Sequence, residues 1–111
     1  MNRDEVSTKI EWCEGKRVEF VNYTDDIIDR AFGILESPVT TKELYSFLEG
    51  RCFPESRFDK KRLLKSLDVA FYEPFDIVRR THGVMFDDVY WVRFEGEENL
   101  TYEEVRKEFG I

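Results

Sequence analysis

A chain of 111 residues with 24 acidic and 17 basic side chains carries a formal charge of −7; 41% of it is hydrophobic and 15% aromatic. That aromatic content excludes a disordered chain, and no run approaches the ~20 apolar residues of a membrane span. The acidity opposes non-specific binding to nucleic acid.

The start, MNRDEVSTKI, has no apolar run after its charges, so no secretory signal is expected and the expected location is the cytoplasm. A chain of this size buries roughly 65% of its unfolded surface, enough for one core. With no repeat, low-complexity tract or linker, residues 1–111 read as a single domain. Cys13 and Cys52 form no CxxC pair and read as reduced thiols, although one disulfide between them stays open. Two cysteines and the single His82 are too few soft ligands for structural zinc, so neither metal nor cofactor is expected.

Residues 8–21 predict a hairpin, with Ile10 and Trp12 alternating against Lys9 and Glu11, Val18 and Phe20 against Arg17 and Glu19, and Gly15 in the turn. Thr24 is an N-cap candidate followed by Asp25 and Asp26, and Ile27, Ile28, Ala31 and Phe32 fall on one face of a predicted helix that Gly33 stops. Thr40 and Glu43 make a capping box with Val39 and Leu44 as hydrophobic staple, opening a helix that buries Leu44, Phe47 and Leu48 and ends at Gly50. After Pro54, a third helix starts near Asp59 with Leu63, Leu64 and Leu67 inward. Glu73-Pro74 opens a fourth, apolar at Phe75, Ile77 and Val78 and closed by Gly83.

Residues 89–94, Val-Tyr-Trp-Val-Arg-Phe, predict a strand with Tyr90, Val92 and Phe94 on one face and Trp91 on the other. Thr101 and Glu104 repeat the capping box, with Leu100 and Val105 as staple, and open a last helix through Phe109. The expected fold class is therefore α+β: a small antiparallel sheet, the hairpin plus the strand at 89–94, packed against four to five short helices.

Charge is unevenly placed. Residues 1–50 are net −5, residues 51–82 net +3 and residues 83–111 net −5. The basic patch is Arg51, Arg57, Lys60, Lys61, Arg62 and Lys65, a site for an acidic partner or phosphate, or simply a solvated face. TTKELYSFLEG followed by DKKRLLKSL is similar to the two helices of a helix-turn-helix, but the link between them is about twice the usual three to four residues. The acidic pairs Asp25-Asp26, Asp87-Asp88 and Glu97-Glu98 are candidate contacts for a basic partner; helix first turns and turn chemistry are their plainer explanation. Phe53, Phe58, Phe71, Tyr72, Phe75 and Phe86 lie in or beside connections, where aromatics serve protein-binding surfaces or plug gaps between helices. His82 with Asp87 or Asp88 is the one acid–base constellation available; Ser66 or Cys52 would have to supply its nucleophile and nothing in the spacing requires either, so a helix-capping or surface histidine is the preferred reading. No catalytic residue is assigned and no enzyme is expected.

THGVMFDDVYWVRFEGEENLTYEEV (residues 81–105), with the Arg51–Arg57 segment of form RxFPxxR before it, resembles short proteins of unassigned function from gut Firmicutes and their mobile elements. The resemblance transfers no catalytic residue. It implies a bacterial, phage or plasmid accessory protein. Size and acidity extend that to a non-enzymatic regulator or inhibitor that binds a protein with a basic surface, as anti-CRISPR and other anti-defence proteins block nucleic-acid-binding enzymes. The alternative is an antitoxin-like or helix-turn-helix-like DNA-binding regulator using the basic helix at 59–67. Neither expectation involves a membrane.

Overall fold

Alternating side chains place the first two elements. In the computed structural model, which describes residues 1–12, 17–85 and 87–108, β1 (Thr8–Glu11) pairs antiparallel with β2 (Glu19–Asn22). The register sets Ile10 opposite Phe20 on the inner face and Lys9 opposite Val21 on the outer one. The turn at Gly15 and the residue Cys13 lie outside the described residues. Val18 extends the pairing by exchanging two backbone hydrogen bonds with Val39, at 3.0 and 2.8 Å, which ties the hairpin to the entry of the first α-helix.

The helix expected after Thr24 does not form. Only a single 3-10 turn, Ile27–Asp29, is present, and Arg30 is extended behind it. The reason lies in competing partners. Asp26 accepts the Ile28 N–H, and the Ala31 N–H goes to the Thr8 hydroxyl on β1 rather than to a helical carbonyl. Two adjacent β-branched isoleucines add little helix propensity to resist this. Phe32 is buried against Phe20 and Phe47, whereas Ile27 and Ile28 face solvent.

The capping box forms as the sequence predicts. Thr40 caps α1 (Thr41–Glu49), its hydroxyl accepting the Glu43 N–H while Glu43 accepts the Thr40 N–H, and Gly50 ends the helix. Leu44 and Leu48 are buried, as is Val39. α2 (Lys60–Ser66) buries Leu64. α3 (Pro74–Thr81) has proline in its first turn, Glu73 accepting the Asp76 N–H, and Ile77 and Val78 fully buried. α3 packs on α1, and this is the helix pair in substantial contact among the described residues; the helix-turn-helix arrangement of α1 with α2 is not adopted.

The strand expected at 89–94 is also absent: among the described residues the sheet has two strands. Tyr90 forms one isolated bridge with Asn2. Its neighbours then send their N–H groups to different elements: Trp91 to the Met1 carbonyl, Val92 to the His82 carbonyl at 2.7 Å, and Phe94 to the Glu97 carboxylate at 2.8 Å. With the Tyr90 N–H on Asp88, the donors of Tyr90, Trp91, Val92 and Phe94 are taken by side chains and distant carbonyls rather than by a neighbouring strand. α4 (Tyr102–Glu108) follows, with the Thr101 hydroxyl bonded to Glu104. Phe109 lies outside the described residues.

Two apolar clusters result. The larger joins the hairpin to α1, α2 and α3 through Val18, Phe20, Phe32, Val39, Leu44, Leu48, Cys52, Leu64, Ile77 and Val78. The smaller is Val84, Trp91 and Val105, with Met1, Leu100 and Tyr102 packed on it. The α+β class holds, with a two-stranded sheet and four α-helices among the described residues. No described helix is long and apolar enough to cross a membrane.

Candidate functional site

The acidic residues singled out in the sequence separate into structural and exposed groups. Asp88 receives both terminal nitrogens of Arg51, at 2.8 and 2.9 Å, and the Tyr90 N–H at 3.0 Å. Burial works against its charge, but the Arg51 hydrogen bonds, the Tyr90 N–H and the guanidinium charge together hold its pKa below the usual value. Glu97 accepts from His82 Nε2 at 3.0–3.1 Å and from the Phe94 N–H; again these partners outweigh burial and lower its pKa. Glu98 is exposed and accepts the Gly96 N–H at 3.1 Å. Asp25, Asp26 and Asp87 are exposed.

The basic group is divided likewise. Arg51 is half-buried, with its Nε donating to the Gly83 carbonyl and one terminal nitrogen to the Tyr90 carbonyl, and so belongs to the interior. A Cβ on Gly83 would lie 3.1 Å from the Arg51 Cβ, and Gly83 has φ +63°, so this approach requires glycine. Arg57 and Arg62 both bind Asp59 at 2.7 Å. Burial opposes ionisation of Asp59, but Arg62 and Arg57 prevail and lower its pKa. Lys61 and Lys65 project from α2, and Lys60 is half-buried.

Six of the nine exposed large hydrophobic side chains among the described residues lie between residues 21 and 36. Val21, Tyr23, Ile27, Ile28, Ile34 and Leu35 are all exposed, Ile28 by 81% and Ile34 by 77%. Asp25, Asp26 and Glu36 are interleaved with them and also exposed. The segment is held, not loose. The Tyr23 N–H bonds the Ser7 carbonyl, Arg30 Nε bonds the Thr24 carbonyl, and the Ser37 hydroxyl accepts the Phe20 N–H at 3.0 Å. Tyr90 donates its hydroxyl to Asp29, joining the segment to the second cluster. That hydrogen bond, with burial and nearby acids, pushes the Tyr90 phenol up to about 12. Beside the segment, the hairpin borders a cleft of about 240 Å³ lined by Lys9, Glu11, Glu19, Phe20, Val21 and Ser37. Exposed aliphatic side chains on a hydrogen-bonded segment, interleaved in sequence with carboxylates, suit an apolar, cationic partner surface.

Protein-family models, curated proteins and solved structures contain no match to this chain.

His82 closes α3 in the left-handed conformation, φ +58°, with its N–H on the Val78 carbonyl. Its carboxylate neighbour is Glu97; Asp88 is taken by Arg51. The ring packs beside Trp91 and Phe94, centroids 6.3 and 6.0 Å away. Among the described residues no three His, Cys, Asp or Glu side chains gather as a metal site. Cys52 is a buried free thiol whose hydrogen bonds go to the Leu48 and Pro74 carbonyls, and burial chiefly, helped by Glu49 and Glu73, raises its pKa to about 12.

The sequence did not single out Tyr23, Ile34 and Leu35, and its spacing placed Ile27 and Ile28 on one helical face with Phe32. The available signal was the run Ile34-Leu35-Glu36 beyond Gly33, apolar residues past the end of any helix that could bury them.

Proposed function

We propose that this chain is a non-enzymatic protein-binding regulator or inhibitor whose acidic, aliphatic segment 21–36 docks on a basic, partly apolar surface of its target. The observation that carries the proposal is the exposure of Ile28 and Ile34 among Asp25, Asp26 and Glu36. Isoleucines held out in water on a fixed backbone gain by being covered, roughly 25 cal/mol per Å² of apolar area. The carboxylates around them select a cationic partner and speed the encounter. Basic channels of nucleic-acid-binding enzymes have this chemistry. Blocking one is the role of an anti-defence protein of a phage or mobile element, which is the role we propose. The position of His82, capping a helix and held by Glu97, supports a non-enzymatic reading.

The test compares the wild-type chain with the double variant Asp25→Asn, Ile28→Ser as bait in nuclease-treated bacterial lysate. A nucleic-acid enzyme retained by the wild type, released by salt and absent from the variant supports the proposal. The same protein retained equally by both, or held without regard to salt, overturns it.

A further inference from the structure

The exposed large apolar side chains of the described residues fall into two chemically different sets. Those from Val6 to Leu35 are aliphatic apart from Tyr23, whereas Phe58 and Phe71, exposed by 98% and 79%, are both phenylalanine and flank α2 in the chain, Phe58 shortly before Lys60 and Phe71 beyond the turn that follows Ser66. α2 turns Leu64 into the core and Lys61, Arg62 and Lys65 outward. Lys61 and Lys65, one helical turn apart, line an open depression of about 570 Å³ with Leu64, Asp68, Val69 and Ala70, and Phe71 follows directly. Arg57 and Arg62 are occupied by Asp59, while Lys61 and Lys65 have no ion pair among the described residues.

We propose that this face of α2 binds single-stranded nucleic acid, with Lys61 and Lys65 meeting phosphates and Phe58 and Phe71 stacking on unpaired bases at either end. Unpaired bases offer π-faces that a phenyl ring can cover, and that contact needs no sequence. A duplex keeps those faces stacked, and phenylalanine has no donor or acceptor for base edges. A lipid surface fits less well, because the outer face of α2 is lysine, arginine and serine with its leucines turned inward or half-covered, leaving no apolar face to immerse. The net charge of −7 is screened beyond a Debye length of about 8 Å, so at contact range the local net +3 of residues 51–82 governs. Two neutralised phosphates give a single-strand salt slope near about −1.4, so affinity falls about 7-fold between ~50 and ~200 mM salt.

This inference is independent of the segment 21–36 and is tested without it. Fluorescence polarisation follows a labelled thymidine oligonucleotide of about twenty residues, a duplex of equal length, and each of the variants Phe58→Ala, Phe71→Ala, Phe71→Tyr and Lys61→Gln/Lys65→Gln. All are exposed positions, and thermal melting of each variant confirms folding. Expected are preference for the single strand, the salt dependence above, a loss of about 5-fold or more for each Phe→Ala, and retention by Phe71→Tyr. Absence of single-strand binding at low salt, equal binding to the duplex, or binding indifferent to both Phe→Ala variants overturns the proposal. So does flotation with phosphatidylserine-containing vesicles in the absence of oligonucleotide binding.

Discussion

Arg51 grips Asp88 through both terminal nitrogens, at 2.8 and 2.9 Å, across 37 residues of chain. The same guanidinium donates to the carbonyls of Gly83 and Tyr90, so one side chain fastens the segment after α1 to the end of α3 and to the 88–90 segment. The planar fork makes this possible, and lysine cannot reproduce it. Arg51→Lys and Arg51→Ala should both destabilise, the alanine by about 3 kcal/mol, because the Asp88 carboxylate is left half-buried without its cation. Urea unfolding of the two variants measures this; a lysine variant as stable as wild type would contradict the fork's role.

Acid should release the same clamp. Asp88 and Glu97 have depressed pKa values in the folded state. Their contribution is full above the unfolded carboxylate pKa of about 4 and is lost as pH falls through the lower, folded value. Stability should therefore drop on acidification below about pH 4, and Asp88→Asn should flatten that part of the curve. Melting temperature measured against pH, wild type beside Asp88→Asn, checks the sign.

Ile28 and Phe32 separate the observed segment from the helix the sequence predicts. A helix burying both would make both substitutions costly. In the structure Phe32 is buried and Ile28 exposed. Phe32→Ala should cost about 3–5 kcal/mol, and Ile28→Ser should stay within about 0.5 kcal/mol. Equal losses in denaturant melts would restore the helix.

Trp91 anchors the smaller cluster at 2% exposure, with its indole N–H on the Arg3 carbonyl. Trp91→Ala should cost about 3–5 kcal/mol and loosen α4, which rests on the same cluster through Val105. Hydrogen exchange should show amides of Tyr102–Glu108 losing protection before those of α3.

Cys52 should resist alkylation at mildly alkaline pH while the chain is folded, because burial hides the thiol and raises its pKa to about 12. Mass spectrometry of its modification across a urea series should follow unfolding. Fast labelling of native Cys52 would contradict its placement beneath Leu48 and Pro74.

Elements whose partners lie within four residues were legible in the sequence. The Thr40–Glu43 box, proline in the first turn of α3 and the Thr101–Glu104 pair each close on themselves, so local chemistry suffices to fix them. The alternation of β1 and β2 is equally local, with period two against a single core face. Length and charge by themselves make this a small acidic protein. Tertiary structure alone decided the fate of residues 24–33 and 89–94, where apolar spacing suggested a helix and a strand. There the backbone N–H groups found distant partners, Ala31 on Thr8 and Val92 on His82, and long-range hydrogen bonding overrode local preference. It also decided which charges remained for binding. Arg51, Asp88 and Glu97 are indistinguishable in sequence from Lys61 and Asp25, but the fold closes the first three on internal partners and leaves the last two facing water.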